Sequence, residues 1–363
     1  MKKKIAIIGT RGIPNRYGGF EQFAEMLSVR LVERGFDVTV YNPDYHPYED
    51  STFKGVHIRK KKLNEKLWGP AANILYDYAC MKEAIVFKND VVLACGYGSM
   101  LAAIQIKRPE KTRLIINMDG MEWQRRKWHS IVKTILHASE KQAVKKADIL
   151  VTDHSEINSY YKVKYGIDNP CIPYGASVQT DFDEKYLSQF GLKKDNYFLM
   201  ISRPISENNL PEILKGFIRA KTRDILVVIT NMNDAYAKKL SRKYSHANIQ
   251  FLSNIFDSTI LNSLRFYSKG YFHGHSVGGT NPSLLEAMAA QCFMIAHDNA
   301  FNRKILKENA LYFKSEEDVF GIIREFDNLL EKKSKFVKNN LTTIIRDYSW
   351  EQVTDAYVAL FNQ

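Results

Sequence analysis

Short aliphatic and β-branched runs recur along this chain with helix-length amphipathic stretches between them, and that alternation limits the possible folds more than any other feature. Lys4-Ile5-Ala6-Ile7-Ile8-Gly9 reads as a buried strand closed by a glycine turn. From Glu21 to Arg34 the apolar residues Phe23, Leu27, Leu31 and Val32 fall at helical spacing, and Gly35-Phe36 stops the helix before the run Asp37-Val38-Thr39-Val40-Tyr41. A strand that follows a helix in this way returns by a crossover, so the sheet begins parallel. Val91–Ala94, Arg113–Ile116 and Asp148–Val151 continue the pattern, and a second series runs through Tyr197–Ile201, Ile225–Ile229, Ile249–Leu252, Gly270–Phe272 and Phe293–Ala296.

With 363 residues, of which 45% are apolar and 25% charged, the chain is long enough for two cores and too apolar for disorder. The expected fold class is α/β, with two facing Rossmann-like domains, parallel sheets and an interdomain cleft where the carboxyl ends of the strands collect ligands. Residues 1–175 form the first domain and 176–345 the second. Asp347-Tyr348-Ser349 caps a last helix, so 346–363 is expected to pack back on the first domain.

The most lipid-like stretch, Asp90–Lys107, is interrupted by Cys95-Gly96-Tyr97-Gly98-Ser99 well short of the ~20 apolar residues a spanning helix needs. Lysines at the N-terminus precede an apolar run too short for a signal peptide and without a cleavage site, so a cytoplasmic location is expected. The 4 cysteines form no CxxC pair; neither a zinc site nor a disulfide framework is expected, and buried thiols are the default. An excess of 52 Lys and Arg over 40 Asp and Glu gives +12 and calls for a nearby polyanion. Nucleic acid, anionic lipid and phosphorylated small ligands all fit that charge. The basic residues gather at Arg59–Lys62 with Lys66, and from Arg125–Lys127 through Lys133, Lys141, Lys145 and Lys146. They read either as a solvated face or as a membrane-surface patch.

Four segments carry chemistry. In Gly274–Ala289, Asn281 is a favoured N-cap and Pro282 a favoured first helical residue, so a helix opens there with free amides and the positive end of its dipole, a place for phosphate. Gly278 and Gly279 let a ligand approach the backbone before Thr280, Asn281 and Ser283, and Glu286 lies one turn into the helix, where a carboxylate accepts sugar hydroxyls. The loop Gly9–Glu21 places Gly18 and Gly19 before the first helix, with Arg11 and Arg16 to neutralise a diphosphate. It matches neither GxGxxG nor a Walker A loop, which argues against hydride transfer and NTP hydrolysis. Asn117–Trp128 follows a strand and sets Asp119 and Glu122 beside Trp123, acids for hydroxyls and an indole face for a sugar; Asp119 also suits a base or orienting group on an acceptor hydroxyl. Arg203, in Ser202–Asn209, stands where it can grip a diphosphate.

Together RGIPNRYGGFEQ (Arg11–Gln22), MDGMEWQRRKW (Met118–Trp128), IPYGA (Ile172–Ala176), SRPISENN (Ser202–Asn209) and HSVGGTNPSLLEAM (His275–Met288) resemble the retaining family 4 glycosyltransferases of the GT-B fold, and more closely their rhamnosyltransferase branch with a DUF1972 N-terminal domain. The resemblance implies transfer of a sugar from a nucleotide sugar, dTDP-L-rhamnose or a UDP-linked donor, onto a lipid-linked oligosaccharide or surface-polysaccharide precursor. It implies peripheral contact with anionic membrane at the inner face of the bacterial cell membrane, no nucleic acid partner and no cofactor beyond the substrate. Carried over by position, Gly18, Gly19 and Arg203 meet the donor diphosphate, Glu286 meets the ribose, and Asp119 lies near where many relatives place a catalytic-site histidine. Two positions depart from the wider family: Gly278 stands where relatives have a glutamate, and Asn208 where they have a lysine. No Asp-x-Asp metal motif is present, so arginine and helix amides are expected to stabilise the leaving diphosphate. No carboxylate is identified by spacing as a nucleophile, and front-face transfer is the expected route. A non-catalytic nucleic-acid or membrane-binding protein, distinguished by salt-dependent binding, and a nucleotide-sugar epimerase, which needs no acceptor, are the alternatives.

Overall fold

The structure is a computed structural model, and it describes every residue except Met1, Tyr17, Asp119, Arg126, Lys127 and Ser245 to Ala247. The chain divides into two compact units, Met1–Tyr174 with Trp350–Gln363, and Gly175–Ser349.

The first unit is built on seven strands: β1 (Lys4–Ile8), β2 (Asp37–Pro43), β3 (Thr52–Phe53), β4 (Val56–Lys61), β5 (Val91–Cys95), β6 (Arg113–Met118) and β7 (Ile149–Thr152). Their order is β3-β4-β2-β1-β5-β6-β7, and every pairing is parallel except that of β3 with β4. Ile5 to Ile8 and Val91 to Ala94 are wholly buried, as strands covered on both faces must be. Helices α1 (Gly19–Glu33), α2 (Glu65–Trp68), α3 (Ala72–Val86), α4 (Ser130–Lys146) and α5 (Ser155–Tyr165) complete the unit together with the terminal helix Trp350–Asn362. The crossover through α1 leads from β1 to β2, whereas α3 and α4 carry the chain in the opposite direction across the sheet. Right-handed connections therefore put α3 and α4 on the face away from α1.

The terminal helix lies against α1, where Tyr357 packs on Phe23 with ring centroids 5.4 Å apart and its hydroxyl accepts from Asn117 Nδ2 at 3.3 Å. Arg34 pairs with Glu351 at 2.7 Å and Asp355 at 2.6 Å at the exposed rim.

The second unit has β8 (Tyr197–Ile201), β9 (Ile225–Ile229), β10 (Ile249–Leu252), β11 (Gly270–His273), β12 (Met294–His297) and β13 (Leu311–Phe313), all parallel, in the order β10-β9-β8-β11-β12-β13. Phe198, Phe217, Phe272, Phe293 and Phe326 fill its core. In both sheets the strand order reverses at one place, between β1 and β5 and between β8 and β11, and there the loops that leave adjacent strands part to either side.

The structure adds to the sequence reading and corrects it in places. The basic run Arg59–Lys61 belongs to β4, where Val56 and Ile58 point inward and His57 and Arg59 outward, so part of that charge cluster is the outer row of a strand. Strands β3 and β13 carry too few residues to show a pattern. Cys171 is exposed, unlike Cys80, Cys95 and Cys292, because it lies in the loop after α5 rather than in a core.

Tyr357 is fully buried although it is brought in from the far end of the chain. Tyr357→Ala is expected to cost the first unit ~3–5 kcal/mol by opening a cavity against Phe23. Amide hydrogen exchange should then show faster opening in β1, β5 and β6 with β8 and β11 unchanged; equal loss of protection in both sheets would count against separate units.

Candidate functional site

At the reversal point of the second sheet, two loops leave neighbouring strands and are tied to each other. Asn209 Nδ2 donates to the Gly274 carbonyl at 2.8 Å, and both the amide and the hydroxyl of Ser276 donate to the Glu207 carbonyl at 2.9 Å. A Cβ on Gly274 would lie 2.0 Å from the Asn208 carbonyl oxygen, so only glycine permits this approach. Asn208, wholly buried, donates from Nδ2 to the Arg203 carbonyl at 2.7 Å. It serves as a loop clamp, and its amide is not a substitute for a lysine charge. Arg203 itself is exposed, and its guanidinium has no ion pair among the described residues.

The second loop passes Gly278, at φ +123°, and the buried Thr280 into the helix Pro282–Ala289. Asn281 caps that helix by accepting from the Ser283 amide at 2.9 Å, and no acid stands in its first turn. The Ser283 hydroxyl meets Tyr271 OH at 2.9 Å and the Ile201 carbonyl at 3.5 Å, which sets the helix start against the end of β8, two positions before Arg203. Gly279 is half-buried between Gly278 and Thr280. Beneath the loop, His273 is buried and stacked on His275 at 4.6 Å, and burial pushes its imidazole down to about 3, so it packs as a neutral ring.

Glu286 lies on this helix and is held by a residue that carries no motif. Arg265, 5% exposed, donates from Nη2 to Glu286 Oε2 at 2.5 Å and from Nη1 to Asn262 Oδ1 at 3.0 Å. Burial works against the guanidinium's charge, but the Glu286 carboxylate outweighs it and the pKa is raised. The carboxylate expected to accept ribose hydroxyls is thus fixed by a buried cation. A single arginine inside an apolar helix, Ser258–Phe266, was the only trace of it in the sequence.

In the first unit the loop after β1 is rigid for a different reason. Glu21 Oε1 accepts from the Arg11 amide at 2.7 Å, Glu25 Oε2 from the Asn15 amide at 2.6 Å, and buried Asn42 clamps Ile13 from both sides, at 3.0 Å through Oδ1 and 2.7 Å through Nδ2. Gly18 is the N-cap of α1 and Gly19 its first residue, but the first turn already holds the buried carboxylate of Glu21. A negative charge at that dipole end occupies the place a phosphate would take. The Arg11 guanidinium is also engaged, with Glu65 at 2.7 Å and Tyr45 at 3.0 Å. Arg16 is exposed, with no partner among the described residues.

Asp119 lies outside the described residues. Three residues on in the sequence, Glu122 pairs with Arg125 at 2.6 Å and its amide donates to Tyr97 OH at 3.0 Å, which joins the loops after β5 and β6. Trp123 stacks on His137 at 4.3 Å and donates from Nε1 to Glu140 at 2.9 Å. Glu140 is wholly buried and also accepts from Tyr160 at 2.8 Å, Lys164 at 2.8 Å and Tyr165 at 2.6 Å; burial alone would raise its pKa, and these donors lower it instead. The indole is therefore locked as part of the wall, with one face taken by His137. In the same unit Asp77, buried on α3, is pushed up to about 7 by desolvation, with the Ser99 hydrogen bond and the Arg11 charge pulling the other way. Among the described residues no group of three or more His, Cys, Asp and Glu is placed to hold a metal ion, and no helix is long and apolar enough to cross a membrane.

The whole chain is similar in structure to sucrose-phosphate synthase from Thermosynechococcus elongatus (TM-score 0.80, 14% identity, 100% of this chain and 99% of that one). It is similar to Anabaena HepE in complex with UDP and glucose (TM-score 0.79, 11% identity, 100% of each chain) and to α,α-trehalose 6-phosphate synthase from Burkholderia multivorans (TM-score 0.70, 13% identity, 100% and 96%). The protein has the GT-B glycosyltransferase fold. Residues 2–177 match the family described as "Domain of unknown function (DUF1972)". No curated protein matches the sequence.

Asp77 makes stability depend on pH in a defined direction. The folded state keeps its proton until about 7, whereas the unfolded chain releases it near the ordinary aspartate value of 3.8, so the stability present in acid is lost as pH rises between those values. Asp77→Asn, neutral throughout, should raise the melting temperature more at pH 8 than at pH 5. Equal increments at the two pH values would show that the carboxyl is not desolvated as described.

Proposed function

We propose that the protein is a glycosyltransferase that takes a sugar from a nucleoside diphosphate and transfers it to a hydroxyl of a lipid-linked glycan. The observation that carries this reading is the pairing, at the reversal point of the second sheet, of an exposed arginine with a capped, acid-free helix start one turn ahead of a fixed carboxylate. Structures of the same fold hold UDP, UDP-glucose, or UDP with glucose. Arg203 and the amides at Asn281 to Ser283 take the diphosphate, and Glu286 takes the ribose. In the first unit, where the helix start of α1 is already answered by Glu21, the role proposed for Gly18 and Gly19 is close backbone approach of a ligand rather than charge.

In the finer reading the sugar is L-rhamnose carried by dTDP, delivered with retention and without a divalent metal. The anomeric carbon–oxygen bond to the diphosphate breaks, and the acceptor oxygen bonds that carbon on the same face. The acceptor's proton passes to the departing phosphate oxygen, whose developing charge Arg203 and the helix amides stabilise. The role of orienting the acceptor hydroxyl is given to Asp119 on the sequence resemblance. The resemblance of the sequence motifs to the rhamnosyltransferase branch is what supports rhamnose and a lipid-linked acceptor.

The test is binding before turnover. UDP or dTDP should raise the melting temperature of the wild-type protein, and Arg203→Ala should remove the effect while leaving the unliganded melt unchanged, since the side chain is exposed. A panel of nucleotide sugars with membrane lipid extract should then release nucleoside diphosphate, with Asp119→Asn slower by ~10²–10⁴-fold. Absence of any nucleotide effect on the wild type would sink the reading; isomerisation of donor without acceptor would point to an epimerase.

A further inference from the structure

Of the arginines among the described residues, Arg265 alone is buried. Burying a guanidinium is costly, and here the cost is not fully offset. Nη2 donates to Glu286 and Nη1 to Asn262, whereas Nε meets no hydrogen-bond partner among the described residues. A buried ion pair is weak evidence of stability, since apolar side chains of similar volume often serve a fold as well or better. What this pair does supply is a carboxylate held in one orientation.

The anchor is itself fixed. The Arg265 carbonyl accepts from Ser268 Oγ at 2.7 Å and from Cys292 Sγ at 3.3 Å, and Ser268, Cys292 and Asn262 are all buried. Backbone and guanidinium are both held, so the place of the half-buried Glu286 carboxylate is set from the core side. Glu286 is three residues beyond Ser283, so the two share one face of the helix Pro282–Ala289, about 4.5 Å apart along its axis. Ser283 is tied from beneath by the buried Tyr271. One helix face therefore presents amide donors at its start and an acceptor one turn on, each steadied by a buried polar side chain. The acceptor is an anion and opposes a diphosphate at the helix start. The positive charge of Arg265 directly behind it offsets that repulsion.

We propose that Arg265 is a positioning residue for the nucleotide: it sets Glu286 as a fixed acceptor for ribose hydroxyls and cancels that carboxylate's repulsion of the diphosphate. This role rests on the transferase reading, in which Glu286 meets the ribose and the helix start meets the diphosphate. The nucleotide's hydroxyl preference is thereby assigned to a side chain that lies behind the ligand contact and carries no motif.

The test is calorimetric titration of the full-length protein with two pairs of nucleotides, UDP against 2′,3′-dideoxy-UDP and dTDP against 2′,3′-dideoxy-TDP. Members of a pair differ only in their ribose hydroxyls. With whichever base is accepted, wild type should bind the hydroxylated member about tenfold tighter. Arg265→Met should bring that ratio to about one and weaken the dideoxy nucleotide about fivefold. Adding Glu286→Gln to Arg265→Met should restore the dideoxy nucleotide to wild-type affinity without restoring the ratio. Arg265→Lys keeps the charge and loses the fork, so it should lower the ratio and leave the dideoxy nucleotide unchanged; it carries the test if Arg265→Met does not fold. A part played in stability alone would weaken both members of a pair equally and show no recovery on the second substitution. A wild-type ratio of one, a ratio unchanged in the Arg265 variants, or a loss that Glu286→Gln does not recover would overturn the proposal. A protein that binds nucleotide but keeps its hydroxyl preference without Arg265 fails the positioning role alone. One that binds no nucleotide removes the transferase reading together with it, so the two failures are distinguishable.

Discussion

The backbone of Asn208 meets that of Gly274 with no room for a methyl group between them, and the second unit's functional edge depends on that contact. It brings the loop after β8 and the loop after β11 together where the strand order would otherwise drive them apart. Once joined, the loops are fixed by bonds to main-chain carbonyls at Gly274 and Glu207, groups that do not vary with side-chain rotamer. The helix start at Asn281 inherits this rigidity, with its amides oriented before any ligand arrives. Preorganised donors of this kind stabilise developing charge without reorganisation at the moment of reaction, which is the condition for a leaving diphosphate to depart easily.

The two units answer the dipole of their first ligand-facing helix in opposite ways. Helix α1 spends its positive end on Glu21, whose carboxylate also holds the Arg11 amide and so stiffens the loop. The helix Pro282–Ala289 is capped by neutral Asn281 and keeps its positive end for something else. The engagement of the part-exposed Arg11 guanidinium with Glu65 and Tyr45 adds to the asymmetry. The second unit therefore keeps unspent positive potential at this helix start, while the first unit's α1 does not.

Most of the sheet architecture was legible because parallel strands buried on both faces are unbroken apolar runs: Ile5–Ile8, Val91–Ala94 and Tyr197–Met200 announce themselves. Strand β4 did not, since at the side of the sheet its outward row is Arg59 and its neighbours, which read as surface charge. The helix at Pro282 was legible because cap and proline chemistry is local. Arg265, Glu140 and Asp77 were not, because each matters through partners brought near only by folding: Arg265 reaches Glu286 across two helices, and Glu140 collects Trp123 from one segment and Tyr160, Lys164 and Tyr165 from another. A motif names the side chain that touches a ligand; the residue that holds it in place has no spacing to obey.

The asparagine at 208 shows how one substitution redistributes a site's work. Its Cγ amide lies in a fully buried space and ties the Arg203 carbonyl, closing a turn that begins and ends in the same short loop. A lysine in that space would have to bury an ammonium without a carboxylate or leave the turn unclosed, either of which costs several times what one neutral hydrogen bond supplies. With a clamp in place of a cation, positive charge on this loop comes from Arg203 alone. A guanidinium can make up part of the loss, because its planar fork engages two phosphate oxygens at once where an ammonium is a point charge. The remainder falls on the helix amides, whose partial charges do not titrate and cannot be moved by a rotamer change. The loop is thereby tighter and carries one mobile charge, and the fixed dipole of the helix capped by Asn281 lies next to it.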